Sequence, residues 1–228
     1  MIVPLPATDI AFAMNAVMQG VFCGIWLLGA WVFGDVRRAA LHWSAFAGLS
    51  TLSFLALIAA LHQPVPLPAE YLRALGNLFG VAAMLALHRG VRLFIDAPLP
   101  TRAHALAFAV VLVVSWLGLT PARAALRISA NSAVLTLIAL AIAADLYRYG
   151  RDVVRQPHMW LLAVPLVAAA VGFAQRGVRA LWGGESIATE MVTDSTVNVV
   201  SAIFYMVESL SGAKAAAAGL TPSPAQGD

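Results

Sequence analysis

Residues 76–100 read GNLFGVAAMLALHRGVRLFIDAPLP, a run fit for lipid that opens on Gly76-Asn77 and closes on Arg89 and Arg92. How this stretch is read decides the fold. In water its apolar part would be the core side of a soluble helix. In a bilayer Asn77 needs a partner, because an unpaired amide in hydrocarbon is costly. The rest of the chain selects the second reading. Of 228 residues, 61% are hydrophobic and 11% charged, with a mean hydropathy of +0.84. Soluble domains carry roughly 25% charged residues. So few charges cannot cover a surface of this size in water, and the expectation is an all-α integral membrane protein.

Seven apolar runs approach the roughly 20 residues that a span requires. They fall near 10–33, 39–62, 72–95, 104–120, 122–146, 158–180 and 192–211, a seven-transmembrane-helix bundle over 1–211. Asp35 and Arg37-Arg38 end the first run, Pro64, Pro66 and Pro68 separate the second from the third, and Pro98 and Pro100 close the third. Thr120-Pro121 reads as an N-cap followed by proline at the first helical position. The N-terminus lacks the basic stretch of a signal peptide, so the first run reads as a retained helix. Residues 212–228, small and nearly uncharged, read as a flexible tail or a truncated linker. The lone Cys23 excludes an internal disulfide.

With the N-terminus outside and the C-terminus inside, the inner side holds Arg37, Arg38, Arg89, Arg92, Arg102, Arg148, Arg151, Arg155 and Lys214. The outer side keeps Arg73, Arg123, Arg127, Arg176 and Arg179, and the imbalance favours this orientation. The net charge of +3 follows from the same imbalance; no basic cluster exceeds Arg37-Arg38, so nucleic acid is not an expected partner.

The polar residues within the spans gather toward the outer half. Asn15 and Gln19 lie i, i+4 on the first helix, as do Arg73 and Asn77 on the third. Arg123, Arg127 and Asn131 descend one face of the fifth, and Arg176 is near the end of the sixth. On the seventh, Asp194, Asn198, Ser201, Tyr205 and Glu208 form a continuous helical stripe. Helices two and four, almost purely apolar, are expected to face lipid. An outward-facing polar cavity is one outcome, with Asn15, Gln19, Arg73, Asn77, Arg123, Arg127, Asn131, Arg176 and Asn198 as ligand contacts. The positive end of the fifth helix beside Arg123 and Arg127 suits an anion. The other outcome is a self-satisfied network, in which Glu185, Glu190 and Asp194 neutralise the outer arginines and Asn77 bonds across helices.

His42, His88, His104 and His158 sit near the inner helix ends, where interfacial histidine is the plainer reading than a metal or haem site; no metal and no cofactor is expected. Gly20–Gly24 and Gly76–Gly80 have the GxxxG spacing, which serves packing within the bundle or, in the alternative, a homodimer. Lys214, the sole lysine, lies beyond the last span, so no retinal Schiff base can form. HExxH, CxxCH, Walker-type and GxSG motifs are absent, and an enzyme is not expected.

Gly76-Asn77, then Arg89-Gly90-x-Arg92-x-Phe94 and Pro98 and Pro100, resemble the N-terminal seven-helix sensor region of bacterial diguanylate cyclases. In those proteins the region precedes a cytoplasmic GGDEF domain. Arg127 and Arg176 match arginines of the same pattern, and the layout corresponds over residues 8–211. The resemblance implies signal reception: a small or lipid-like ligand in the outer cavity, transmission along Asp194, Ser201, Tyr205 and Glu208, and a cytoplasmic cyclase output. No GGDEF sequence follows here, so the expectation is a sensor without its output domain, one cut before it, or a free-standing homologue. A small organic-anion transporter or channel is the alternative; it would need a polar path through an inner half that reads as nearly all apolar.

Overall fold

The computed structural model describes residues 7–32, 34, 36–62, 67–149 and 156–182. Six α-helices run through them: α1 (Ala7–Val32), α2 (Arg37–His62), α3 (Ala69–Phe94), α4 (Thr101–Leu117), α5 (Ala124–Tyr149) and α6 (Gln156–Leu181). Among the described residues there are no strands. The expected seventh span near 192–211 lies outside them, and so does the tail. Each of the six runs is a helix within a few residues of its expected bounds. At Thr120-Pro121 the chain first makes a 3-10 turn, Pro121–Arg123, and the α-helix starts at Ala124.

α1, α2, α3 and α5 are long and apolar enough to cross a membrane; α4, at 17 residues, is shorter. At about 1.5 Å per residue, the 26-residue helices extend about 39 Å, more than the roughly 30 Å hydrocarbon core. Their outward faces carry large apolar side chains, among them Val17, Leu28, Leu106, Val113 and Leu137. Water would not tolerate so much exposed apolar surface, and lipid does. Trp31, Trp116 and Trp182 are 85%, 72% and 84% exposed at or beside helix ends, where indole rings anchor at the membrane interface. The chain is a helical membrane protein.

α1, α2 and α3 pack in sequence, and α5 and α6 form a second layer; the two meet where α3 crosses α5, with α4 resting on both. α2 does present much of its surface outward, with Leu41, Leu52 and Leu55 exposed, but it is not purely a lipid-facing helix. α2 lies between α1 and α3, with Ser44, Ser50 and Ser53 buried. These hydroxyls are interhelical links rather than apolar filler. Ser53 Oγ donates to the Gly76 carbonyl at 2.7 Å, and Ser44 Oγ to the Cys23 carbonyl at 3.1 Å. α4 does present most of its surface outward, burying only His104, Val111 and Ser115.

Glycine sets the α2–α3 spacing. A Cβ on Gly76 would stand 3.0 Å from Leu57, so this GxxxG residue is used inside the bundle. At Gly90 a Cβ would fall 2.5 Å from Cδ1 and Nε1 of Trp43, whose ring packs on Trp26 and Phe94. Gly90→Leu is therefore expected to push α2 from α3 and destabilise the bundle by about 1–3 kcal/mol, the usual cost of overpacking. Thermal unfolding in detergent measures it; an unchanged midpoint would mean Trp43 moves aside freely.

α3 ends at a sharp corner. Asp96 adopts a left-handed conformation, φ 55°, and the Ala97 amide donates back to the Arg92 carbonyl at 2.8 Å. This is a Schellman-type stop with aspartate, one of the residues that tolerate the conformation, in the usual glycine place. Pro98 follows, as expected where a helix cannot continue. The corner brings the Pro98 carbonyl onto Nη1 of Arg92, which donates to it.

Candidate functional site

Where α3 meets α5, each helix presents one face that is polar at both ends and apolar between. On α3 the face runs Glu70, Arg73, Asn77, Val81, Leu85, His88, Arg92; on α5 it runs Arg127, Asn131, Leu135, Ile138, Ile142, Asp145. Both follow the helical repeat. Val81, Leu85, Leu135, Ile138 and Ile142 belong to one buried apolar cluster. It separates two polar clusters by 14 residues on α5, roughly 21 Å of helical rise.

The first cluster lies at the start of both helices. Glu70 bridges two arginines: one carboxylate oxygen accepts from Nη1 of Arg73, and the other from Nη2 of Arg127 at 2.6 Å. Nη1 of Arg127 donates to the Gly118 carbonyl at 2.8 Å, and the residue is only 2% exposed. Gly118 makes that seat possible, since a Cβ there would lie 2.6 Å from the Cβ of Arg127. One turn deeper, Nδ2 of Asn131 donates to Oδ1 of Asn77 at 3.2 Å. Asn77 thus has the cross-helix partner that lipid demands. Three neighbouring buried atoms on α5 find no hydrogen-bond partner among the described residues: Nε of Arg127, Oδ1 of Asn131 and Oγ of Ser132. Buried polar atoms are seldom left so.

The other expected contacts are placed variously. Arg123 is exposed on the 3-10 turn, away from the buried face. Arg176 is buried on α6, next to Gly177, where a Cβ would stand 3.1 Å from the Cβ of Ser132. Asn15 and Gln19 are buried too, but on α1, whose extensive described contact is with α2. Nδ2 of Asn15 donates to the Ala11 carbonyl of its own helix at 2.8 Å. So α3 and α5 bring Arg73, Asn77, Arg127 and Asn131 together, and the described packing does not join Asn15 and Gln19 to them. Asn198, Asp194, Ser201, Tyr205 and Glu208 fall outside the described residues, as do Glu185 and Glu190. The carboxylate that meets Arg127 is Glu70, which sequence reasoning overlooked. Its signal was local: Glu70, Arg73 and Asn77 stand at i, i+3, i+7 on one face.

The second cluster, at the other end, was also not foreseen. Asp145 of α5 is buried against three hydrogen-bond donors. Nε2 of His88 donates to its Oδ2 at 2.7 Å, Nε of Arg92 to the same oxygen at 2.5 Å, and Nη2 of Arg92 to Oδ1 at 2.7 Å. Nε2 of His104 is 3.0 Å from Nδ1 of His88, and the rings lie 4.9 Å apart. Tyr149 places its ring 5.9 Å from the Arg92 guanidinium. This half of the membrane is therefore not all apolar, which corrects the sequence reading. Of the other histidines, His42 bonds the Arg38 carbonyl of its own helix, and His62 lies 3.2 Å from Asp9. The side chain of His158 is outside the described residues. Among the described residues, no three His, Cys, Asp or Glu side chains converge as a metal site would require. Comparison with protein-family profiles, with characterised proteins and with solved structures finds no match to this chain.

Proposed function

We propose that this chain is a signal-receiving module of a bacterial inner membrane, N-terminus outside. It binds a small or lipid-like anion at the Arg127 end of the α3–α5 face. The observation that carries this reading is Arg127, 2% exposed, whose own Nε and whose neighbours Asn131 Oδ1 and Ser132 Oγ are buried with no hydrogen-bond partner among the described residues. Such atoms lose hydration with no return unless something else bonds them. Two guanidinium groups facing one carboxylate leave a surplus positive charge, so an anion suits Nε of Arg127, while Oδ1 of Asn131, an acceptor, calls for a donor group on the same ligand. Glu70 is then a built-in competitor that holds Arg127 when the ligand is absent. Transmission would pass through the segment near 192–211 to a cytoplasmic output such as a diguanylate cyclase. The apolar cluster between the two polar ends argues against the transporter alternative, because it interrupts any polar path among the described residues.

The test uses Glu70→Gln, which removes the internal competitor while keeping the shape. Native mass spectrometry of the full chain extracted from membranes should show a retained small molecule, and more of it in Glu70→Gln. Added monocarboxylates, from acetate to dodecanoate, should raise the melting temperature of Glu70→Gln more than that of the wild type. No retained molecule and no carboxylate-dependent shift in either protein would leave Glu70 and Arg127 as a structural ion pair.

A further inference from the structure

The cluster around Asp145 takes no part in that reading, and its protons can be assigned nitrogen by nitrogen. Asp145 accepts on both oxygens from the always-charged Arg92, so it is ionised, and Nε2 of His88 must carry the proton that it donates. Between Nδ1 of His88 and Nε2 of His104, 3.0 Å apart, there is room for one hydrogen. Two N–H groups aimed at each other would repel. The two rings together therefore hold at most three protons on four nitrogens. With both rings neutral, Nδ1 of His88 is the acceptor and His104 donates from Nε2. Nδ1 of His104 is then a bare lone pair. It is buried, on a residue 8% exposed, and has no hydrogen-bond partner among the described residues.

We propose that His88 and His104 form a site that binds a single proton, entering at Nδ1 of His104. A proton delivered by water bonds to that nitrogen and makes His104 an imidazolium. The proton on its Nε2 can then cross the 3.0 Å bond to Nδ1 of His88. His104 is left neutral, protonated on Nδ1, and the imidazolium stands against the Asp145 carboxylate. No second proton can follow, because the hydrogen between the rings is shared. Uptake changes the cluster from net zero, Asp145 against Arg92, to net +1.

Burial opposes uptake at His104 most, then the charges of His88, Arg89 and Arg92 from α3, and Asp145 from α5 favours it. Arg37 and Arg38 of α2, Asp96 of the corner, Arg102 of α4 and Arg148 and Tyr149 of α5 are exposed at the same end, and His42 is partly exposed there. A metal is a poor occupant, since the rings spend one nitrogen each on the other and His88 spends its second on Asp145.

The full chain, labelled with 15N-histidine and held in detergent micelles, reports the proton directly. Imidazole nitrogen shifts are followed between about pH 3 and pH 8, a range that reaches below the ordinary histidine value because burial disfavours the charged ring. His42→Gln, His62→Gln and His158→Gln assign the remaining signals by elimination. At the alkaline end both rings should be neutral with the proton on Nε2. On acidification they should shift together in one step that takes up one proton, and His104→Phe should abolish that shared step. Two separate steps taking up two protons would overturn the proposal. So would a proton already on Nδ1 of His104 at the alkaline end, or no uptake by either ring. The wild-type titration decides even if His104→Phe does not fold.

Discussion

Asp145→Leu is expected to destabilise the folded bundle by about 3–5 kcal/mol, the cost of leaving a buried charge without its partner. The carboxylate accepts three hydrogen bonds, two from Arg92 and one from His88. Its loss leaves Arg92 with only the Pro98 carbonyl and the face of Tyr149. Asp145→Asn keeps an acceptor but not the charge, and should fall between. The informative partner is the double variant Asp145→Leu with Arg92→Met. Removing both charges should recover much of the loss, because paired burial of ions contributes little beyond what apolar packing does. Unfolding in mixed micelles with rising SDS gives the three stabilities. A double variant less stable than Asp145→Leu alone would mean that Arg92 acts through some contact other than Asp145.

Arg127→Ala should remove the retained anion altogether and cost about 2–3 kcal/mol, somewhat less than a fully orphaned buried charge. Glu70 keeps Arg73 as a counter-ion, which limits the damage. The Gly118 carbonyl does lose its donor, and a cavity opens where the guanidinium lay. Asn77→Leu is the comparison, since it removes one 3.2 Å bond at the same site. Bonds of this kind between membrane helices are worth only about 0.6–2 kcal/mol. Ligand should therefore survive Asn77→Leu in part and vanish in Arg127→Ala, as read by native mass spectrometry and by the carboxylate-dependent melting shift. Equal ligand retention in both would remove Arg127 from the binding role.

The helices were legible because bilayer thickness dictates the length of an apolar run and proline or charge marks its end. Asn77 and Arg127 were legible for a related reason: polar groups within a span need partners, so they declare themselves as buried. Asp145 did not. It lies four residues before the end of α5, beside Arg148, where an acid reads as an interfacial residue. Its burial depends on α3 crossing at that level, which no local pattern encodes. A usable hint was present, an acid within the last turns of a span whose following loop holds only Arg151, Asp152 and Arg155 as charges. The linking part of α2 was not read because Ser44 and Ser53 weigh little in hydropathy, yet their hydroxyls bond the Cys23 and Gly76 carbonyls of the helices on either side.

The α3–α5 crossing is held by ion pairs in both polar clusters: Glu70 with Arg127, and His88 and Arg92 with Asp145. Between them lies a buried apolar middle about which α5 would pivot if it tilted. A tilt of α5 that closes one end would open the other. Two occupants that each prefer one tilt would then be thermodynamically linked, and linkage is symmetric. If loading the histidine pair weakened anion binding tenfold, bound anion would weaken proton uptake tenfold, about 1.4 kcal/mol in either direction. The same protein would answer a solute at one end and a proton at the other through a single rocking contact.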